Sequence, residues 1–313
     1  VTIAFPDGAT TGSTATVDIA WVEPADLQCE YLKNPLGLDV SRPRLSWKMG
    51  TTLTARGQKQ TAYQILVASS RALLDKNEGD LWDSGRVDSG ESVNIVYDGK
   101  PLATGRKCFW KVRLVDERGN WTSWSEPAAW QMGLFADDWK ARWIGSAEME
   151  SQSVGGRPID NKMSDPWFRK TFTLSEAPQE ALIYVASIGY HELYVNGERI
   201  GDAVLSPSVT DHKSRARFMT YDIAPYLKAG ENVLALWLGT SWAIFPAYQQ
   251  EGRPAIPMVL AQAEITLPSG EKLRVMTDDS WKTHASSNTL MGYWDAHHFA
   301  GEFQDASLEI EGW

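Results

Sequence analysis

Apolar and polar residues alternate with a period of two along one short run after another, and no stretch carries the 3.6-residue repeat of a long amphipathic helix. A chain patterned this way buries its apolar side chains by pairing strands into sheets and stacking the sheets face to face. The clearest run is Tyr190 to Asp211, in which Leu193 and Val195 share one parity while Glu192, Tyr194 and Asn196 share the other. Asn196-Gly197 then supplies two residues that tolerate positive φ, a strong short-range hairpin signal. Ile200 resumes the apolar pattern and Gly201-Asp202 ends it.

Read in order, residues 1–25 are rich in Thr, Ala and Gly and form a leader that is poorly ordered or adds at most one strand. Short strands begin at Asp26. Leu45 and Trp47 share a face in RLSWKM, Thr61 to Ser69 reads as a strong strand, and Ser70 is placed to cap one short helix from Arg71 to Lys76. About seven strands separated by turns every 8–12 residues or so predict a first β-sandwich over residues 26–135. Trp47 and Trp110 belong to its core, whereas Trp121 and Trp124 flank a turn and are more exposed.

Residues 136–166 read as a connector, with Trp139 and Trp143 pinning it to a neighbouring domain and a loop from Ser151 to Pro158. A second antiparallel sandwich is predicted over residues 167–313, with a further hairpin turn at Pro268-Ser269-Gly270-Glu271. The closing stretch from Met291 to Trp313 has no capping element, so the pattern predicts a second sandwich truncated at its C-terminal end and a natural protein that continues. Val1 in place of Met is compatible with a processed or partial chain from which a signal peptide has been removed. The fold class is all-β: two antiparallel sandwiches in series.

Composition narrows the function. A net charge of −10 argues against a protein built chiefly for nucleic acid or anionic membranes, and no apolar run reaches the roughly 20 residues needed to cross a bilayer. Cys29 and Cys108 both lie in strand-like runs, which favours two small buried core thiols over a disulfide. The 15 tryptophans suit either large sandwich cores or sugar sites, where a flat indole covers the apolar face of a pyranose.

Motifs for nucleotide, zinc-protease or serine-hydrolase chemistry are absent: there is no GxGxxG, Walker loop, HExxH or GxSxG. His297 and His298 are neighbours that would face opposite sides of a strand, a poor arrangement for sharing a metal. Asp137-Asp138 and Asp278-Asp279 are adjacent carboxylates in turns, where solvated Asx-turns are the ordinary role. No carboxylate pair is forced by its context into a pocket of the kind glycoside hydrolysis requires. Binding is better placed on the loops that leave the hairpin: Asp202, Asp211 and His212, then Arg215 and Arg217, and the aromatic loop from Trp242 to Tyr248.

From about Asp26 onward the chain resembles the N-terminal half of bacterial α-L-rhamnosidases, an inverting glycoside hydrolase family with an (α/α)6 catalytic barrel. The resemblance runs through LQCEYLKNPLGLDVSRPRLSWKM, QTAYQILVASS, LWDSGRV, FWKVRLVDERGNWTSWSEPAAWQMGL and WKARWIG. It continues through WFRKTFTL, YHELYVNGERIGDAVLSPSVTD, MTYDIAPYLKAGENVLALWLG, TDDSWK and GEFQDASLEIEGW. It implies a fibronectin-III-like first domain and a galactose-binding-like jelly roll second. In some relatives the jelly roll is a calcium-dependent L-rhamnose-binding module, and the resemblance places a calcium and sugar contact at Asp202. Asp211, Trp242 and Tyr248 complete the carbohydrate-binding candidates. Two departures stand out: Ala203 follows Asp202 where Asn is expected, and Val209 precedes Thr210 where an aromatic is usual.

The resemblance also implies that the catalytic acid and base lie in the barrel, so no catalytic residue is assigned in this chain. The reading that follows is a set of non-catalytic modules of a rhamnosidase, needing no cofactor of their own unless calcium. Its partners are the catalytic domain of the same protein and rhamnose-containing glycans, and its location is periplasmic or secreted. A free-standing sugar-binding protein and a purely structural or adhesive sandwich pair are the alternatives.

Overall fold

The computed structural model describes residues 22–51, 57–146, 164–244, 256–291 and 301–308. The chain divides into two compact units, Val1–Gly133 and Leu134–Trp313. The leader expected over residues 1–25 falls almost wholly outside the described residues, as do Ser151–Pro158, Tyr248, His297 and His298.

The described residues of the first unit form seven strands: β1 (Val22–Cys29), β2 (Arg44–Thr51), β3 (Ala62–Ala68), β4 (Trp82–Asp83), β5 (Ile95–Val96), β6 (Lys107–Val115) and β7 (Ala128–Gln131). They form two antiparallel sheets, β1-β2-β5 and β4-β3-β6-β7. The parity read from the sequence holds, since Leu45, Trp47, Ile65, Val67, Trp110 and Val112 all point inward and are buried. Trp47 stacks edge-on against Tyr63 with ring centroids 5.1 Å apart. Its Nε1–H donates to the buried Gln60 Oε1 (3.0 Å), and Gln60 Nε2 donates to the carbonyls of Ser89 and Glu91, so the core indole enters with its polar edge satisfied. A short helix, α1 (Arg71–Asp75), starts where Ser70 Oγ accepts from Leu73 N at 3.3 Å. Cys29 and Cys108 are buried free thiols, and burial pushes the Cys108 thiol up to about 12.

Trp121 and Trp124 are engaged by cations of their own sheet. The Arg113 guanidinium lies 4.3 Å from the Trp121 ring centroid and 4.7 Å from that of Trp124, with Lys111 Nζ 5.1 Å from Trp124 and Arg86 5.8 Å from Trp121. Cation–π stacking of this kind uses the ring faces that a sugar platform would need.

The second unit opens with a 3-10 turn (Ala136–Asp138) and β8 (Ile144–Gly145). Strands β9 (Trp167–Leu174), β10 (Glu180–Ile188), β11 (Tyr190–Val195), β12 (Glu198–Ile200), β13 (Phe218–Asp222) and β14 (Gly230–Gly239) follow. The last are β15 (Met258–Thr266), β16 (Lys272–Met276), β17 (Lys282–His284), β18 (Asn288–Met291) and β19 (Gly301–Gln304). One sheet runs β13-β10-β15-β16 with β8 added on β15, the other runs β12-β11-β14-β9-β17, and β18-β19 is a separate hairpin. Ile183, Val185, Ala261, Ala263 and Ile265 from the first meet Phe168, Leu193, Val195, Leu234, Leu236 and Leu238 from the second in one buried core.

The segment from Ala136 to Ser146 is stitched to this unit. Trp139 packs edge-on against Tyr184 and Phe218, and the buried Gln262 accepts from Lys140 N (2.7 Å) and Ala141 N (3.2 Å) while donating to Asp138 O. The Asn196-Gly197 hairpin forms with φ of +52° and +86° and pairs Val195 with Glu198 and Leu193 with Ile200, the register the alternation requires. Among the described residues no helix is long and apolar enough to cross a membrane.

Candidate functional site

Strand β10 belongs to one sheet and β11 to the other, and Gly189 alone joins them. Beside this corner lies a cleft of about 260 Å³. Tyr190, His191 and Glu192 line it from β11, Trp237 to Gly239 from β14, and Ala203 to Leu205 from the loop after β12. Asp165 comes from the turn before β9, and Asn288 and Glu302 from the β18-β19 hairpin. Leu205 sits at φ +53° and is exposed, as is Val204, so the rim carries apolar side chains on a backbone held in the left-handed region.

Asp165 is buried, and its Oδ1 accepts from Thr240 N at 2.7 Å. Burial pushes its carboxyl up to about 6 against the lowering effect of the Thr240 N–H, and the charge of Glu302, within hydrogen-bonding range, adds to the rise. Glu192 is compensated: it accepts from Tyr194 Oη (2.6 Å) and pairs with Arg199 (2.9 Å). The floor of the cleft therefore presents two carboxyl groups close together. Inverting and retaining glycosidases hold their carboxyls about 5–9.5 Å apart to leave room for water or the anomeric carbon. A pair within hydrogen-bonding range has neither geometry.

His191 sits on the inward parity of β11, 5% exposed. Its Nε2 lies 3.0 Å from Tyr221 Oη and its Nδ1 2.9 Å from Ser187 Oγ, which donates to Gly189 O. With the Ser187 proton committed to that carbonyl, Nδ1 is the protonated nitrogen and Nε2 accepts from Tyr221. This chain of bonds looks like a nucleophile and its base, but Ser187 is 1% exposed and its hydroxyl is spent on the backbone. Its role is to hold the sheet corner.

Burial lowers His191 to about 4, so the folded unit keeps it neutral. The unfolded chain binds a proton near the ordinary value of about 6.5. Stability on this account is unchanged above that value, is lost as pH falls toward 4, and totals about 3 kcal/mol. Urea unfolding should show the native chain losing about 2 kcal/mol more than His191→Gln between pH 7 and pH 5; parallel losses would contradict the neutral imidazole.

Of the residues singled out from sequence, Asp202, Asp211 and Trp242 are among the described residues and Tyr248 lies outside them. Asp202 is exposed beside Ala203 on the cleft rim. Asp211 builds a turn, accepting from Lys213 N (3.1 Å) and Ser214 Oγ (3.2 Å). Trp242, on a 3-10 turn (Ser241–Ile244), donates from Nε1 to Tyr190 Oη at 3.0 Å and shares a shallow depression with Ser208, His212 and Arg217. Among the described residues no group of three or more His, Cys, Asp and Glu side chains is placed to hold a metal. Asp165, Asn288 and Glu302 were not anticipated. The available signals were the Ser-Asp-Pro step before β9 and the Gly-Glu pair of GEFQDASLE.

Comparison with known proteins places this geometry. Residues 24–136 match the family described as Rha78A-like, N-terminal immunoglobulin domain, and residues 176–313 match the alpha-L-rhamnosidase N-terminal domain. An alpha-L-rhamnosidase of Formosa agariphila is 33% identical over 291 residues, covering 91% of this chain and 30% of the relative. The solved structure of the alpha-L-rhamnosidase from Dictyoglumus thermophilum superposes with a TM-score of 0.81 at 34% identity, over 94% of this chain and 32% of that one. The Aspergillus terreus enzyme gives 0.75 at 25% identity, over 93% of this chain and 32% of its own. The chain thus spans about a third of the length of these relatives. It belongs to the α-L-rhamnosidase family as that family's N-terminal part, an immunoglobulin-type domain followed by the rhamnosidase N-terminal β-domain.

Proposed function

We propose that these two domains are non-catalytic accessory modules of an α-L-rhamnosidase that hydrolyses terminal α-L-rhamnosides. The observation that carries the reading is the match along nearly the whole chain to about a third of the relatives' length. The cleft is compatible with it, since among its described lining residues Asp165 and Glu302 interact with each other rather than facing across a substrate-sized gap. In the intact protein an acid carboxyl would protonate the glycosidic oxygen and a base carboxylate would activate water, both supplied outside these residues. The partners are then the catalytic domain and rhamnose-containing glycosides, at an exported location.

The product of the complete reading frame tests this directly. It is expected to release 4-nitrophenol from the α-L-rhamnoside with clear preference over the α-L-arabinofuranoside. Activity on neither substrate, from a folded protein, would overturn the proposal.

A second reading, sugar binding by the chain itself, is favoured by the aromatic lining of Tyr190 and Trp237 beside an acceptor-rich floor. Calcium at Asp202, with Asp211, Trp242 and Tyr248 on the sugar, is the form the family resemblance suggests. Calorimetric titration with L-rhamnose, with and without calcium, tests it: heat that saturates supports it, and no binding in either buffer removes it.

A further inference from the structure

We propose that Asn196 is a deamidation site, held closed by the folded hairpin, whose modification marks each chain in which the second unit has opened. Asn196-Gly197 is the chain's only Asn-Gly step. Glycine has no side chain to shield its own main-chain nitrogen, so the Gly197 nitrogen reaches the Asn196 carboxamide carbon wherever the backbone is free to bring it there. Hydroxide takes the Gly197 amide proton, the bond from Gly197 N to Asn196 Cγ forms, the Cγ–Nδ2 bond breaks, and ammonia leaves. Water then opens the cyclic imide. Opening at Cγ leaves aspartate at position 196, and opening at the main-chain carbonyl leaves isoaspartate. Nothing is oxidised or reduced, and water is the co-reactant.

The fold opposes this step. The turn is exposed, and no heavy atom lies within 4 Å of where a Gly197 Cβ would sit, so water reaches it freely. The carboxamide, however, is held at every hydrogen. Asn196 Nδ2 donates to Tyr226 O (2.8 Å) and to Asn232 Oδ1 (2.9 Å), and its Oδ1 accepts from Val233 N (2.9 Å). Asn232 is no flexible partner, being fully buried and bonded to Lys228 and Gly230. Asn196 also sits at φ +52°, and closing the imide ring needs a ψ far from that of the left-handed region. Breaking three hydrogen bonds of ordinary strength before reaction slows it by roughly a hundredfold or more.

The product does not fit the hairpin. A carboxylate has no N–H, so Tyr226 O and Asn232 Oδ1 lose their donor and meet an anion instead. Isoaspartate also adds a methylene to the main chain inside a two-residue turn whose length sets the strand register. Strand β12 leaves that turn and leads into Ala203–Leu205 on the cleft rim, so a modified chain rebuilds neither the clamp nor the rim. This inference does not depend on the rhamnosidase reading.

Peptide mapping by mass spectrometry, with electron-transfer fragmentation to separate isoaspartate from aspartate, tests it on the purified chain in mildly alkaline buffer. In urea beyond the unfolding transition, Asn196 is expected to be the first asparagine converted. In native buffer the same conversion should be roughly a hundredfold slower or more. Across intermediate urea the rate should follow the unfolded fraction read by circular dichroism on the same samples. Asn232→Ala removes one of the acceptors that hold the amide, and in the folded variant conversion should be about tenfold faster than in the native chain. If that variant does not fold, its rate should equal that of the urea-unfolded chain. Asn196→Asp, which mimics one product, should lower the urea midpoint. Equal rates in the folded and unfolded chain, a rate that ignores the unfolding transition, or a folded Asn232→Ala with native protection would each overturn the proposal.

Discussion

Gly189→Ala should destabilise the second unit by about 3–5 kcal/mol, the sum of a strained backbone and an overpacked corner. Gly189 has φ +98°, and a Cβ there would meet the Gly239 carbonyl oxygen at 2.2 Å. That oxygen belongs to β14, the neighbour of β11, so it cannot swing away as a flexible side chain would. The contrast is Gly197 in the hairpin, which has φ +86° and no heavy atom within 4 Å of an added methyl. Gly197→Ala carries only the conformational cost, about 1–2 kcal/mol. Urea titrations of the two variants should therefore separate clearly. Equal losses would mean that the single-residue crossing between sheets relaxes far more easily than its geometry indicates.

Asn232→Ala is expected to cost about 4 kcal/mol, roughly 1 kcal/mol for each of four hydrogen bonds. Asn232 is fully buried at the start of β14. Its Nδ2 donates to Lys228 O (2.7 Å) and Gly230 O (3.0 Å), and its Oδ1 accepts from Lys228 N (3.0 Å) and Asn196 Nδ2 (2.9 Å). Asn196 in turn donates to Tyr226 O and accepts from Val233 N. The turn residue at positive φ is thus also a clamp between the β11-β12 hairpin and the strand beside it. Because the two side chains bond directly, Asn196→Ala and Asn232→Ala should be non-additive by about 1 kcal/mol in a double-mutant cycle. Losses that simply add would show that the clamp has two independent halves.

The sequence made some of this legible and hid the rest for physical reasons. Alternation is a local signal, so the inward parity of Leu45, Trp47, Leu193 and Val195, the Ser70 cap and the Asn196-Gly197 turn could all be read from short windows. His191 shares the parity of Leu193 and Val195, but its bonds to Ser187 and Tyr221 join residues that no single window pairs. Local pattern also does not say that the two strands flanking Gly189 enter different sheets. The cleft was hidden for the same reason: Asp165, Asn288 and Glu302 are far apart along the chain and meet only when the hairpin closes beside β14. The loop residues Asp202 and Asp211 have the composition of a site, yet the side chain of Asp211 is occupied with turn bonds. Tryptophan count alone did not separate roles, since Trp47 fills a core, Trp121 and Trp124 stack on cations and Trp237 faces a cleft.

The most direct test of the central claim is the hydrolysis of 4-nitrophenyl α-L-rhamnoside by the purified 313-residue chain, with circular dichroism confirming a β-rich fold. Release no faster than the buffer blank is expected if, as proposed, these two domains are non-catalytic accessory modules. Saturable turnover proportional to protein concentration would contradict it and place a working carboxylate pair within these two domains.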